Sequence, residues 1–251
     1  LGLPFIAWTG LLAYPVMIGL AGAGALVALV GFLDDRGHIP ARWRLLAHFV
    51  SAGWVLAWLG GVPALPFFGY SVTLGRLDVV LFALYLVWLL NLYNFMDGID
   101  GIAGVEATTV CFGGTLLYWM AAPGATGWAV PLLLLCSVLG FLIWNLPPAK
   151  IFMGDVGSGF LGVILGALSI DAAWKVPAFF WSWVILLGVF VVDATVTLFR
   201  RVVRGEKFYI AHRSHAYQYA ARTRGAHGPV TLAVGLINLF WLLPLRCFCF
   251  S

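Results

Sequence analysis

The sequence predicts an all-α protein: a polytopic membrane helical bundle of about eight transmembrane helices, forming one domain over residues 1–251. Three observations carry this reading. The chain is 63% hydrophobic and only 10% charged, with a mean hydropathy of +1.00, more apolar surface than a soluble domain of this size can hide. Its apolar residues fall into eight runs, most of them near the roughly 17–25 residues a membrane helix needs. Finally, threading these runs alternately through a bilayer puts eleven of the fourteen Lys and Arg residues on one face. The positive-inside rule makes that face cytoplasmic.

The predicted spans lie near Tyr14–Leu33, Leu45–Gly61, Val79–Phe95, Val105–Met120, Trp128–Trp144, Gly159–Ile170, Ala178–Phe199 and Val230–Leu245. The sixth is short and Gly-rich, so it is expected to be tilted or shielded from lipid. Leu1–Ala13 reads as the tail of an earlier span. No linker, repeat or low-complexity segment divides the chain, and no cleavable signal peptide is evident. The net charge of +4 is accounted for by helix orientation and does not call for nucleic acid. Cys111, Cys136, Cys247 and Cys249 have no CxxC or zinc spacing and read as small core residues.

Four polar loops fall on the basic face: Asp34–Arg44, Met96–Gly104, Asn145–Ser158 and Arg200–Pro229. Leading into the second, Asn91, Asn94, Asp97 and Asp100 recur every third residue from the end of an apolar run, close to helical spacing. Such groups are costly at a membrane edge unless they face water, a metal or a ligand. Oxygen donors grouped this way suit a hard cation such as Mg²⁺, which usually arrives with phosphate. A turn leaving a helix would explain the Asn, Asp and Gly residues individually, but not their regular spacing.

Asp34-Asp35 follows the first span. Two adjacent carboxylates repel, so the pair is either a solvated helix end or a place for a shared cation or proton. In Phe152-Met-Gly-Asp155-Val-Gly-Ser, glycines bracket one acid at the start of a helix, an arrangement that can hold phosphate or metal. An N-cap for the sixth span is the plainer alternative. The last loop carries His212-Arg213-Ser-His215 behind a basic run. HExxH zinc spacing is absent, and Arg with His converging on a diphosphate is the functional reading. Asp193, inside the seventh span, reads as a buried hydrogen-bonded group.

With these motifs in this order, the chain resembles the polyprenyl-phosphate N-acetylhexosamine-1-phosphate transferases of glycosyltransferase family 4. The resemblance implies a fold of ten or eleven spans, so this chain is expected to lack N- and C-terminal helices of the full fold. It also implies a Mg²⁺-dependent enzyme, with Mn²⁺ as a substitute, in the bacterial inner membrane with a cytoplasmic active site. There, undecaprenyl phosphate would attack the β-phosphate of a UDP-N-acetylhexosamine, releasing UMP and starting a lipid-linked glycan. By resemblance, Asp155 is the main metal ligand with Asn94 assisting, and Asp34 or Asp35 deprotonates or positions the lipid phosphate. Asp97, Asp100 and Asn145 line the nucleotide pocket, and His212, Arg213 and His215 hold the diphosphate or sugar. Self-association as a homodimer is admitted.

The short His-Arg-Ser-His-Ala-Tyr-Gln loop resembles the branch that initiates O-antigen and surface glycans, using UDP-GlcNAc, UDP-FucNAc or UDP-QuiNAc. The phospho-N-acetylmuramoyl-pentapeptide transferases of peptidoglycan synthesis are the alternative. A membrane cation transporter, from a different class, would spread its acids through the depth of the bilayer. Here most of them cluster at one face, with Asp78 and Asp171 on the other and Asp193 alone clearly inside a span.

Overall fold

A computed structural model describes residues 2–37, 39–205 and 214–245. The elements are α1 (Gly2–Trp8), α2 (Tyr14–Gly37), α3 (Ala41–Trp58), a hairpin of β1 (Leu65–Phe67) and β2 (Tyr70–Val72), α4 (Arg76–Met96), α5 (Ile102–Ala121), α6 (Ala129–Asn145), α7 (Gly154–Lys175), α8 (Phe179–Leu186), α9 (Gly188–Val203), α10 (Ala216–Arg224) and α11 (Gly228–Ile237). The all-α, multi-pass bundle expected from hydropathy is what forms. Every predicted span lies on a helix, but fewer than eight helices are long and apolar enough to cross a membrane. Among the described residues there are five, or six if α8 and α9 count as one bent span. Of the other two, α3 begins with Arg42 and Arg44 and carries His48, while α5 carries Glu106 and paired threonines.

The sixth predicted span is α7, and it is the centre of the molecule. Of its apolar window, 83% is buried, against 33–44% in the other four long helices. It is indeed shielded, but it is not short. The glycine-rich segment read as a loop is already helical from Gly154, so α7 is 22 residues long. Glycine permits this in two ways. Gly154 sits at φ +64°, where a side chain would be strained. Gly162 lets α7 lie directly on α4, since a Cβ there would stand 2.7 Å from the Leu90 Cα. Small residues at such crossings replace the hydrophobic drive that helices lack in lipid. On α2, a Cβ at Gly31 would strike the Asp155 backbone at 2.7 Å, so the tip of α7 is pressed onto the end of α2.

The acids inside the membrane are not only Asp193, as the sequence suggested. Glu106 is 0% exposed. The Asn238 amide donates to Glu106 Oε2 (2.6 Å) and to Thr109 Oγ1 (2.7 Å). This polar group sits where α8 and α9 meet at a 71° bend, and the Glu106 carboxyl also reaches the main-chain N–H of Phe190. A break in a membrane helix frees backbone donors that lipid cannot satisfy. Glu106 supplies an acceptor at the bend, which gives the buried acid a structural task unrelated to an ion path. Asp193 is similarly occupied: it accepts from the main-chain N–H groups of Ala216 (3.0 Å) and Tyr217 (3.1 Å) and from Thr197 Oγ1 (3.1 Å). It thereby ties the start of α10 to α9, as its hydrogen-bonded reading required.

Of the four cysteines, Cys111 is in the core but Cys136 is exposed on α6. The core reading therefore fails for Cys136, because the outward side of a membrane helix is as apolar as its inside. Cys247 and Cys249 lie outside the described residues.

Candidate active site

The ends of α2, α4 and α6 meet the starts of α3, α7 and α11 at one end of the bundle, and the predicted motifs meet there too. A cavity of about 340 Å³ is lined by Asn94, Asp97, Gly98, Ile99, Asp100, Asn145, Phe152, Met153, Gly154, Asp155 and His227. Six of these polar or acidic side chains come from segments up to 133 residues apart in sequence, from Asn94 to His227.

The Asn91–Asp100 run does not stay on one helical face. α4 ends at Met96, and Asp97 is its C-cap at φ −85°, ψ 58°. Asn91 turns inward, donating to the Val87 carbonyl (2.7 Å) and lying 3.5 Å from His48 Nδ1. Asn94, Asp97 and Asp100 reach the cavity, the last two from irregular backbone. Asp100 is a fastening. Its Oδ2 accepts from the Ala149 N–H (3.1 Å), its carbonyl accepts from Thr231 Oγ1 (2.7 Å), and its Oδ1 lies 3.2 Å from His227 Nδ1. Asn145 is 4% exposed and donates to the Ile151 carbonyl (2.8 Å), folding the loop before α7 over the cavity.

Asp155, in the first turn of α7, is hydrogen-bonded to Asn94. Arg44 at the start of α3 forms a close ion pair with Asp34, and its Nη1 is 3.4 Å from Asp155 Oδ2. The adjacent acids differ sharply. Asp34 is pinned by Arg44 and by the Ile39 N–H (2.7 Å), with its side chain 8% exposed. Asp35 is exposed, and its carboxylate lies against the backbone of Gly154.

Among the described residues, no three of His, Cys, Asp and Glu stand close enough to hold a metal by themselves. The donors at hand are the carboxylates of Asp155 and Asp97 and the amide of Asn94, all hard oxygen ligands. That set fits Mg²⁺, which takes one or two protein carboxylates and completes its shell with water and substrate phosphate.

His215 does not line the cavity. It is 2% exposed, with Nδ1 3.4 Å from Asp193 Oδ1 and its ring stacked on Tyr217, and with Gln218 it forms a capping box at the start of α10. Tyr217 in turn donates to the Phe95 carbonyl (3.0 Å), bringing α10 against the end of α4. Burial, and then the charge of Asp97, push the Tyr217 phenol up. His212 and Arg213 lie outside the described residues. Two groups, Arg44 beside Asp155 and His227 on the cavity wall, had no sequence signal that set them apart. Arg44 reads as one more basic residue on the positive face, and His227 is a lone histidine after a Gly-Ala pair.

Burial, reinforced by the charge of Asp155, lifts the Asp97 carboxyl from 3.8 to about 7. The folded chain therefore holds this proton more tightly than the unfolded chain does. The stabilisation is complete below about pH 4 and is lost as pH rises through about 7. In chelator, the melting temperature is expected to fall by roughly several degrees between pH 5 and 8, and Asp97→Asn should flatten that slope. An unchanged slope in the variant would remove Asp97 as its source.

Comparison with known proteins settles the family. A profile of glycosyl transferase family 4 matches residues 17–173, more than half of the chain. The chain belongs to glycosyl transferase family 4. The matched region contains Asp34, Asp35, Asn94, Asp97, Asp100, Asn145 and Asp155, and ends before His215 and His227. Among curated members, the chain is similar to a probable undecaprenyl-phosphate N-acetylglucosaminyl 1-phosphate transferase of Bacillus subtilis (28% identity, 90% of this chain, 64% of that protein). It is also similar to a phospho-N-acetylmuramoyl-pentapeptide-transferase of Thermotoga neapolitana (35% identity, 58% of this chain, 50% of that protein). A third relative is a decaprenyl-phosphate N-acetylglucosaminephosphotransferase of Mycolicibacterium smegmatis (30% identity, 60% of this chain, 40% of that protein). The chain thus spans between two fifths and two thirds of the length of these family members.

Proposed function

We propose that this family 4 chain carries the transfer site of a polyprenyl-phosphate N-acetylhexosamine-1-phosphate transferase. The observation behind the proposal is the single cavity on which Asn94, Asp97, Asp100, Asn145 and Asp155 converge. A phosphate oxygen of undecaprenyl phosphate attacks the β-phosphorus of a UDP-N-acetylhexosamine. The new P–O bond forms as the bond to the bridging oxygen breaks, and UMP leaves with that electron pair. Mg²⁺ held by Asp155 and Asn94 would neutralise diphosphate oxygens that otherwise repel the anionic nucleophile.

The remaining work falls to the protein. Arg44 keeps Asp34 in place between α2 and α3 and offsets the charge around Asp155. Asp35, being exposed beside Gly154, is the carboxylate placed to orient the lipid phosphate or take its proton. Asp97, Asp100 and Asn145 form the wall for the nucleotide. A lipid acceptor requires such a site at a membrane face, and the positive-inside bias supports the cytoplasmic side of a bacterial inner membrane for it.

The 35% identity to a phospho-N-acetylmuramoyl-pentapeptide-transferase favours a second reading, with a much bulkier donor. Membranes carrying the chain, incubated with undecaprenyl phosphate and a panel of UDP-sugars, separate the two. We expect UMP and lipid-diphosphate sugar from UDP-GlcNAc, UDP-FucNAc or UDP-QuiNAc. Turnover of UDP-MurNAc-pentapeptide alone supports the second reading, and no UMP from any donor defeats both.

A further inference from the structure

The hairpin of β1 and β2 stands at the end of the bundle away from the cavity. It directly precedes α4, whose 21 residues make a rod roughly 30 Å long, and the far end of that rod delivers Asp97 to the cavity. The register pairs Leu65 with Val72 and Phe67 with Tyr70, and cross-strand partners share a face of the sheet. One face is therefore aliphatic and aromatic throughout. Trp181 fastens the hairpin to α8, its Nε1 donating to the Pro66 carbonyl (2.6 Å) and its ring lying 6.0 Å from that of Phe67. Phe67, Tyr70 and Val72 nevertheless remain exposed. A lone two-stranded hairpin is marginal in water unless such a face is covered.

The turn adds a second observation. Phe68 and Gly69 sit at φ +47° and +83°. Two central residues at positive φ are what a type I′ turn requires, and Asn, Asp or Gly is favoured at both. Phe68 is thus strained, and it is also 89% exposed. A bulky apolar side chain held in this conformation and left bare by the fold gains nothing from the protein in return.

Composition and neighbours say what covers it. No Asp, Glu, Lys or Arg occurs between Arg44 and Arg76, so the hairpin brings none of the charged groups that line the rim of a protein–protein contact. Along α4, Leu77, Val80, Leu81 and Leu84 are exposed at the i, i+3, i+4, i+7 spacing of one helical face, on a helix long and apolar enough to span a membrane. The bare face of the hairpin continues in the chain into that lipid-facing stripe. Unpaired strand edges bar the hairpin from the hydrocarbon core itself, whereas Tyr70 suits the headgroup boundary.

We propose that the β1–β2 hairpin is a lipid anchor, lying in the interfacial layer of the leaflet farther from the cavity with Phe68 and Tyr70 inserted among the phospholipids. Its occupant is the bilayer, held by apolar contact without selection for headgroup charge.

The test is hydroxyl-radical footprinting by radiolysis of the full wild-type chain in phosphatidylcholine vesicles, at a protein-to-lipid ratio that keeps copies apart. Tyr70 is 77% exposed by the protein and Tyr219, on α10, 68%, so in water the two would oxidise at similar rates. We expect Tyr70 to oxidise about 5-fold more slowly than Tyr219, because lipid shields it. Equal rates overturn the proposal, and so does protection of Tyr70 that appears only when the vesicles are crowded with protein, which would make a second copy the cover. Depth is read separately from a nitroxide on Phe68→Cys, in a chain whose native cysteines are replaced by Ala. The label should collide with O₂ in preference to a water-soluble nickel chelate, as a label on Leu81→Cys does. Chelate collisions as frequent as those of free label in buffer overturn the proposal. If Phe68→Cys does not fold, Tyr70→Cys carries the same label, and if the cysteine-free chain does not fold, the wild-type footprint decides.

Discussion

Replacing Asp155 by Asn is expected to abolish UMP release, by at least about 10²–10³-fold, while the protein remains folded in the membrane. The magnitude follows from losing a preorganised charge at the point where transferred phosphate carries the most negative charge. Asn is nearly isosteric, so the close approach of α7 to Gly31 and the positive-φ turn at Gly154 are undisturbed. What disappears is one of the two carboxylates proposed to hold the cation and the partner of Arg44 at 3.4 Å. The check is UMP release against Mg²⁺ concentration, with membrane level and melting temperature as controls. Turnover within about threefold of wild type would remove Asp155 from the reaction.

Arg44→Gln should have the next largest effect, and a distinctive one. Arg44 is the cation between Asp34 and Asp155. Without it, Asp34, Asp35 and Asp155 would face an incoming anionic lipid phosphate without the guanidinium that offsets them. We expect the KM for undecaprenyl phosphate to rise about 10-fold and kcat to fall by a similar factor. The Mg²⁺ needed for half-maximal rate should not rise, because removing a neighbouring positive charge favours a second cation. Arg44→Lys keeps the charge but lacks the planar fork that serves two carboxylates, so it should fall between the two. Unchanged KM and kcat in the Gln variant would reduce Arg44 to a surface ion pair.

Much of this was legible in the sequence because membrane proteins write their architecture in hydropathy. The spans fell on helices, and the Asn91–Asp100 and Gly154–Asp155 motifs converged because both end on the same face. What stayed hidden depends on partners far along the chain. Glu106 could be read only once Asn238 was beside it, and His227 only once Asp100 was. The bend at Leu187 has no proline to announce it. The glycines in the first turns of α7 looked like loop, since the positive φ of Gly154 and the close approach to Gly31 exist only in the packed bundle. Asp34 and Asp35 are equivalent as letters and separate only when Arg44 claims one of them.

The burial of α7 divides the molecule into a part that cannot adapt and a part that can. Asp155 rides on a helix clamped without room for a single methyl group against α2 at Gly31 and α4 at Gly162. The opposite rim, formed by the loop between α6 and α7 and the start of α11, is held by a few hydrogen bonds through Asp100 and Asn145. Donors of different size would therefore be accommodated by redrawing the rim alone. In the proposed transferase, a graft of those two segments between family members is the natural unit for exchanging sugar preference, with the packed frame around α7 left untouched.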